Sequence, residues 1–216
     1  MKERKKAKLF SLSYLFYDIC KIIAAIPGLL AFRPKWLYMN KKAKKRIRGG
    51  AILIGNHTGY SDPIYMQYGV WYRRHHFLCA KEFFEGKARF FFKNFMCIPI
   101  DRENFGMDIF REITEHLKQG ELVSMFPEGQ IEKELNSFKS GMILMALQSG
   151  VPIVPIYIKP RKTVWHRLVM AIGEPVDVAE VCGGSRPSFS KIESVTELLH
   201  DMEVQLKEMC EKGDKK

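Results

Sequence analysis

Short, uniformly apolar runs alternate with longer amphipathic stretches over most of this 216-residue chain. The predicted strands are residues 51–55, 77–80, 97–100, 122–126, 152–158 and 168–172. The predicted helices of the same region are residues 63–72, 82–95, 107–119, 139–148 and 191–211. Runs without polar alternation are typical of strands covered on both faces, as in parallel sheets. The sequence therefore predicts an α/β fold with a mostly parallel central sheet flanked by helices.

Proline interrupts one predicted strand. Pro152 and Pro155 fall within the run 152–158, and proline lacks the N–H group that a central strand donates. We therefore expect this run to be an edge strand or an irregular one.

The composition excludes several classes of protein. With 46% hydrophobic and 27% charged residues, the chain has the balance of an ordinary globular protein, not that of a disordered chain, a fibre or a multi-span membrane protein. The five cysteines form no Cys-x-x-Cys pair, which excludes a zinc ribbon and favours a reducing location that faces the cytosol.

The positive charge lies at the N-terminus. Residues 1–50 hold 14 lysines and arginines against two acidic residues, a net charge of +12, whereas the whole chain carries +11. Two basic clusters, residues 2–8 and 41–48, flank an apolar stretch from residue 9 to residue 38. A domain boundary near residue 48 is predicted, with basic, amphipathic membrane-docking helices at 1–48 and the α/β domain at 49–216.

The apolar stretch has the periodicity of an amphipathic helix, with Ser11, Tyr14, Asp18 and Lys21 on its narrow polar face. Pro27-Gly28 predicts the end of this helix, and residues 29–38 form a second short apolar piece. Asp18 and Lys21 would each cost about 2.5–3.5 kcal/mol at a bilayer centre. We therefore expect an interfacial helix on an anionic, cytoplasmic membrane face. A spanning helix and a helix packed on the body with solvated basic ends are the alternatives.

Polar residues follow the predicted strands, at the edge where open α/β sheets bind ligands. His57 follows the first strand, and Asp62 precedes Pro63 at the start of a helix. The intervening loop lets the Asp62 carboxylate orient the imidazole for general base catalysis. The alternative is that Asp62 only caps the helix. The other five histidines are predicted to lie at the surface; they are His75, His76, His116, His166 and His200.

Three further strand ends carry candidate binding residues. Arg102 offers a bidentate fork for a phosphate, unless it pairs with its acidic neighbours in solvent. Lys81 ends the second run, and Glu128 with Gly129 ends the fourth, where a carboxylate could accept from a substrate hydroxyl. Lys139 lies at the start of a predicted helix, where an anion is favoured.

His57, Asp62, Arg102, Glu128 and Gly129 belong to three of four short sequence blocks. The blocks are Asn56-His57 with Asp62, Ile98 to Arg102, Phe126 to Gly129, and Val151 to Pro155. In order and spacing they resemble the four blocks of the glycerolipid acyltransferases, in particular the 1-acyl-sn-glycerol-3-phosphate acyltransferases with the HxxxxD motif. The resemblance covers roughly residues 50–175, and the N-terminal segment is similar to that family's membrane anchor.

The resemblance implies a role for each candidate. His57 would be the general base and Asp62 its orienting partner, while Arg102, helped by Lys81, would bind the acceptor phosphate. Glu128 and Gly129 would position the glycerol moiety. The co-substrate would be acyl-CoA or acyl-carrier protein, with no metal and no other cofactor.

The third block departs from the family pattern, because Gln130-Ile131 stands where Thr-Arg is usual. Lys139 is a candidate to supply the missing charge. The departure leaves glycerol 3-phosphate or another lysophospholipid open as the acceptor. A catalytically silent membrane-surface protein of the same fold is the alternative from a different class. A nucleic-acid binder is disfavoured by the apolar stretch between the basic clusters.

Overall fold

A seven-stranded sheet forms the centre of the described part of the chain, with the strand order β1-β7-β6-β2-β5-β3-β4. The structure is a computed structural model that describes residues 12–101, 105–127, 135–161, 163, 166–184 and 188–213. The strands are β1 (Lys35–Tyr38), β2 (Ala51–Gly55), β3 (His75–Ala80), β4 (Cys97–Ile100), β5 (Leu122–Met125), β6 (Ile153–Ile158) and β7 (Val169–Ile172).

Helices cover both faces of this sheet. They are α1 (Leu12–Phe32), α2 (Asp62–Gly69), α3 (Arg89–Asn94), α4 (Met107–Lys118), α5 (Leu135–Ser149), α6 (Val178–Cys182) and α7 (Phe189–Gly213), with a 3₁₀ helix at Lys81–Phe84. β2 pairs in parallel with both β5 and β6, β3 pairs in parallel with both β4 and β5, and β1 pairs in parallel with β7. The antiparallel pair is β6 with β7. The predicted α/β class with a mostly parallel sheet is confirmed.

Burial explains why the strands could be recognised in the sequence. Every residue of β2, β5, β6 and β7 is buried, so these strands need apolar side chains on both faces. One core cluster of buried residues contains Ile52, Ile54 and Val123, and the other contains Ala51, Leu53 and Leu122. Alternate residues of the same strands thus fill the two layers.

The prediction of an edge or irregular strand at residues 152–158 is wrong. β6 lies between β7 and β2, in the interior of the sheet. Pro155 is tolerated because the ladder with β7 begins one residue later, at Ile156. The Pro155 carbonyl oxygen still accepts a hydrogen bond from the Gly173 N–H at 2.8 Å.

Two helix predictions are also corrected. α1 does not end at Pro27 but continues to Phe32. Tyr68 packs against α1 on either side of Pro27. Its hydroxyl donates to the Ala24 carbonyl oxygen at 3.2 Å, and any side chain at Gly28 would collide with it. The predicted helix 82–95 is divided into the 3₁₀ helix and α3, with Gly86 between them.

The N-terminal segment contributes to the sheet. Residues 35–38, part of the second apolar piece predicted to dock on a membrane, form β1 and pair with Val169–Ile172. These four residues are therefore a strand and not part of a helix, and their docking on a membrane stays a prediction. The domain boundary near residue 48 stays a prediction.

The helix α1 turns its polar face toward the body of the protein. Asp18 forms two contacts with the Arg74 guanidinium, at 2.6 and 3.0 Å, and Lys21 donates to the Arg73 carbonyl oxygen at 2.9 Å. Tyr14 donates to Glu121 at 2.8 Å. The leucine and isoleucine side chains of α1 are exposed; they are Leu12, Leu15, Ile19, Ile22, Ile23, Ile26, Leu29 and Leu30.

We expect Asp18→Asn to weaken the attachment of α1. The side chains of Asp18 and Arg74 are each 36% exposed, so we expect a loss of about 0.5–1 kcal/mol in the free energy of unfolding at pH 7. Hydrogen bonds from Arg74 lower the pKa of Asp18. The pair therefore stabilises the protein above roughly pH 4, the unfolded value of aspartate, and loses this effect as the pH falls further.

Urea unfolding at pH 7 and in steps down to pH 3 measures this effect. The matched control is Asp108→Asn, because Asp108 is fully exposed and lies 3.9 Å from Arg111. Equal changes in the two variants would contradict the structural role of Asp18.

Candidate active site

The carboxyl end of β2 carries the candidate catalytic histidine. β2 ends at Gly55, and Asn56 and His57 follow it directly. The close packing of Gly55 leaves no room for a side chain, because a Cβ atom there would lie 2.5 Å from Met66 and 3.2 Å from the Ile156 carbonyl oxygen. The sequence thus leaves a buried strand and enters an exposed loop at the position of the histidine.

His57 and Asp62 form a hydrogen-bonded pair. His57 Nδ1 lies 3.0 Å from Asp62 Oδ2. The His57 side chain is 37% exposed and the Asp62 side chain 3%. A carboxylate can only accept, so Nδ1 carries the hydrogen and Nε2 keeps the lone pair that a general base needs. The structure brings these two predicted residues together in the arrangement that base catalysis requires.

The loop between the two residues fixes the carboxylate. The Asp62 Oδ2 atom accepts from the backbone N–H groups of Thr58 and Gly59, the latter at 2.7 Å. The prediction that Asp62 caps a helix is wrong. α2 begins at Asp62 itself, and Ser61 occupies the capping position before it. The carboxylate organises the preceding loop instead, and these N–H donors stabilise its negative charge.

Phe126 supports the other side of the imidazole. Its ring stacks on His57 with a centroid distance of 4.9 Å and an interplanar angle of 24°. Phe126 directly follows β5, which pairs with β2. The stack therefore brings the first and third sequence blocks into contact at the carboxyl edge of the sheet.

Asn56 connects the first block to the end of β6. Its side-chain N–H donates to the Ile158 carbonyl oxygen at 2.9 Å, and its side-chain oxygen accepts from the Ile158 N–H at 2.7 Å. Asn56 is 4% exposed. Asn56 and Phe126 are the positioning residues that the sequence reasoning missed, although both lie within its four blocks.

Of the candidate phosphate-binding residues, the structure describes the side chain of Lys81. Lys81 follows β3 and forms an ion pair with Asp101, which follows β4, at 2.5 Å. Both lie at the same sheet edge as His57, because β3 and β4 run parallel to β2 through β5. Arg102, Glu128 and Gly129 lie outside the described residues, as does the side chain of Lys139, whose backbone belongs to α5. The roles of these residues stay predictions.

The prediction that the other histidines lie at the surface is wrong for two of them. His75 and His76 are 0% and 5% exposed. His75 contacts the Val70 carbonyl oxygen at 3.2 Å and the Ser124 hydroxyl at 3.0 Å. Burial lowers the pKa of His75 to about 3, so this residue is a neutral core side chain at physiological pH.

The sequence matches the acyltransferase family over residues 38–159, which contain β2 to β6 and the His57–Asp62 pair. The chain belongs to this family.

Curated relatives are consistent with this assignment. The 1-acyl-sn-glycerol-3-phosphate acyltransferase of Bacillus subtilis is 30% identical over 171 residues, which are 76% of this chain and 83% of the relative. The protein of the same name from Streptococcus pneumoniae is 29% identical over 138 residues, 60% of this chain and 51% of that protein.

A solved structure has the same fold. The crystal structure of the 1-acyl-sn-glycerophosphate (LPA) acyltransferase PlsC from Thermotoga maritima superposes with a TM-score of 0.56. The sequences are 19% identical, and the match covers 96% of this chain and 84% of that chain. At this identity the likeness shows the fold.

We expect Asn56→Ala to destabilise the protein by about 1–3 kcal/mol, because it leaves two buried backbone groups of Ile158 without partners. Urea unfolding measures the loss. Asn94→Ala is the control, since Asn94 makes one exposed hydrogen bond, to the Phe90 carbonyl oxygen. An Asn56→Ala variant as stable as the control would contradict the structural role of the two hydrogen bonds between Asn56 and Ile158.

Proposed function

We propose that this protein transfers a fatty acyl group from a thioester to the free sn-2 hydroxyl of 1-acyl-sn-glycerol 3-phosphate, giving phosphatidic acid. The observation that carries the proposal is the 3.0 Å contact between His57 and Asp62 at the carboxyl edge of the sheet. The names of the two curated relatives support the choice of acceptor.

The proposed reaction is a direct transfer. His57 Nε2 takes the proton of the acceptor hydroxyl as its oxygen attacks the thioester carbonyl carbon. The tetrahedral intermediate then collapses, the carbon–sulfur bond breaks, and the leaving thiolate takes the proton from His57. Asp62 stabilises the imidazolium that exists between these two steps. The products are the diacylated lipid and a free thiol, from coenzyme A or from acyl-carrier protein.

The acceptor phosphate is assigned to the basic residues of the same edge. Arg102 is the proposed bidentate ligand. Lys81, which reaches this edge in its ion pair with Asp101, is the proposed helper. We propose that Glu128 and Gly129 position the glycerol moiety and that Lys139 adds positive charge nearby.

We expect His57→Ala and Asp62→Asn each to lower kcat by about 100-fold to 10,000-fold. The asparagine can still accept from the loop N–H groups, but its amide cannot orient the imidazole as a carboxylate does. Thiol release from acyl-CoA, with lysophosphatidic acid in liposomes, measures the rate. His200→Ala, on the exposed face of α7, is the control with unchanged activity.

Near wild-type rates in both variants would contradict the assignment of base and orienter. The same assay separates the alternative functions. A preference for glycerol 3-phosphate or for another lysophospholipid would change the acceptor, and the absence of transfer to every acceptor would favour a catalytically silent protein.

We also propose that α1 lies in the membrane interface. It is long and apolar enough to cross a bilayer. However, its contacts to the body extend from Tyr14 to Phe32, and a span would separate Asp18 and Lys21 from their partners. The interfacial position keeps these contacts and places the exposed apolar face in lipid. The basic clusters of the sequence favour an anionic, cytoplasmic face.

We expect the double variant Ile22→Glu, Ile26→Glu to weaken binding to anionic liposomes by about 100-fold or more. Both side chains are about 70% exposed, and each contributes roughly 1.5–3 kcal/mol when buried in an apolar medium. Liposome flotation measures the binding. Val204→Glu makes the same kind of change on α7, where the side chain is 45% exposed.

Equal flotation of the double variant and the Val204→Glu control would contradict an apolar docking face on α1. An alkaline wash of the wild-type protein distinguishes the two membrane arrangements, since it releases an interfacial helix and leaves a spanning helix in the pellet.

A further inference from the structure

A second cluster of polar side chains lies at the amino ends of the strands, at the opposite edge of the sheet from His57. His76 belongs to β3, His116 to the last turn of α4, and Glu121 immediately precedes β5. We call these three residues the His–His–Glu cluster. Their potential ligand atoms all lie within 4.8 Å of one another, and the two imidazole centroids are 4.1 Å apart.

One carboxylate oxygen is shared by the two imidazoles. Glu121 Oε2 lies 2.5 Å from His116 Nδ1 and 3.0 Å from His76 Nε2. The second contact is close but is not aligned as a hydrogen bond. His76 Nε2 is buried without a hydrogen-bond partner among the described residues. This nitrogen faces the shared carboxylate oxygen without an aligned hydrogen bond, so its lone pair can serve as a metal ligand.

The side chains of the cluster offer the kinds of atom that bind a metal cation. Two imidazole nitrogens and one carboxylate oxygen form a donor set that zinc sites use, and such a set leaves the fourth position to water.

Access to the cluster comes from a neighbouring cavity of about 440 Å³. Glu121 and Tyr14 both line it. The His116 side chain is 25% exposed and the His76 side chain 6% exposed. An ion can therefore reach the Glu121 carboxylate through this cavity.

We propose that the His–His–Glu cluster binds one divalent transition-metal ion of the Zn²⁺ type through His76 Nε2, His116 Nδ1 and Glu121 Oε2. The ion would join β3, α4 and the start of β5. Since Tyr14 donates to the other oxygen of Glu121 at 2.8 Å, the ion would also support the attachment of α1. This site lies at the opposite edge of the sheet from the His57–Asp62 pair, so it is separate from the proposed acyl transfer.

The test uses the full-length protein, stripped with a chelator and titrated with Co²⁺ as a spectroscopic probe, followed by displacement with Zn²⁺. We expect one equivalent of Co²⁺ with the visible absorption of a tetrahedral site. We also expect Zn²⁺ at about one hundred times its Kd to raise Tm by roughly 5–10 °C.

His116→Gln and Glu121→Gln each remove one ligand. We expect either change to weaken Zn²⁺ binding by about 100-fold or more, because changes in groups outside the ligand set already cost roughly 10–100-fold. His116→Gln is the more informative variant, since its partly exposed position tolerates the change. His200→Gln is the matched control and should bind Zn²⁺ like the wild type.

Two results would overturn the proposal. One is the absence of stoichiometric Co²⁺ and Zn²⁺ binding by the wild-type protein. The cluster would then be an ion-paired group in which Glu121 contacts the two imidazoles without a metal ion. The other is equal Zn²⁺ affinity in the wild type and His116→Gln. Neither result depends on the acyltransferase assay.

Discussion

The candidate active site depends on one buried carboxylate. Asp62 receives hydrogen bonds from the backbone of Thr58 and Gly59 as well as from His57, so the same charge shapes the loop and orients the imidazole. A charged acceptor with several N–H donors is stabilised where an unpaired one would be costly. The loop conformation and the tautomer of His57 therefore have a common cause, and a change in either affects the other.

The sheet determines which sequence blocks meet. β5 and β6 lie on either side of β2, so residues that follow these strands converge although they are distant in the chain. Phe126 stacks on His57 from one side, and Asn56 binds the end of β6 on the other. Parallel pairing thus assembles the site from strand ends, in keeping with the general behaviour of open α/β sheets.

Much of this could be predicted from the sequence, because buried strands have a strong local signal. β2 and β4 begin and end where the apolar runs do. The failures have tertiary causes. The sequence predicts that Pro27 ends α1, but Tyr68 packs against the helix at that point and the helix continues. The sequence also predicts that proline keeps β6 out of the interior of the sheet, but the ladder of β6 with β7 starts after Pro155. The contact of His76 with Glu121 was missed because the two residues are distant in sequence.

The orientation of α1 explains an apparent contradiction in the N-terminal sequence. A charged pair within an apolar helix argues against lipid contact on every side, yet the helix is too apolar for a solvated surface. The contacts of Asp18 and Lys21 with the segment before β3 remove this conflict, since the charges face protein and the apolar side chains face outward. Near its start α1 contacts Glu121, and at its end Phe32 packs on Tyr65 of α2, the helix that begins with Asp62. The proposed membrane helix is therefore in contact with both edges of the sheet, and its docking would fix the candidate active site relative to the lipid surface.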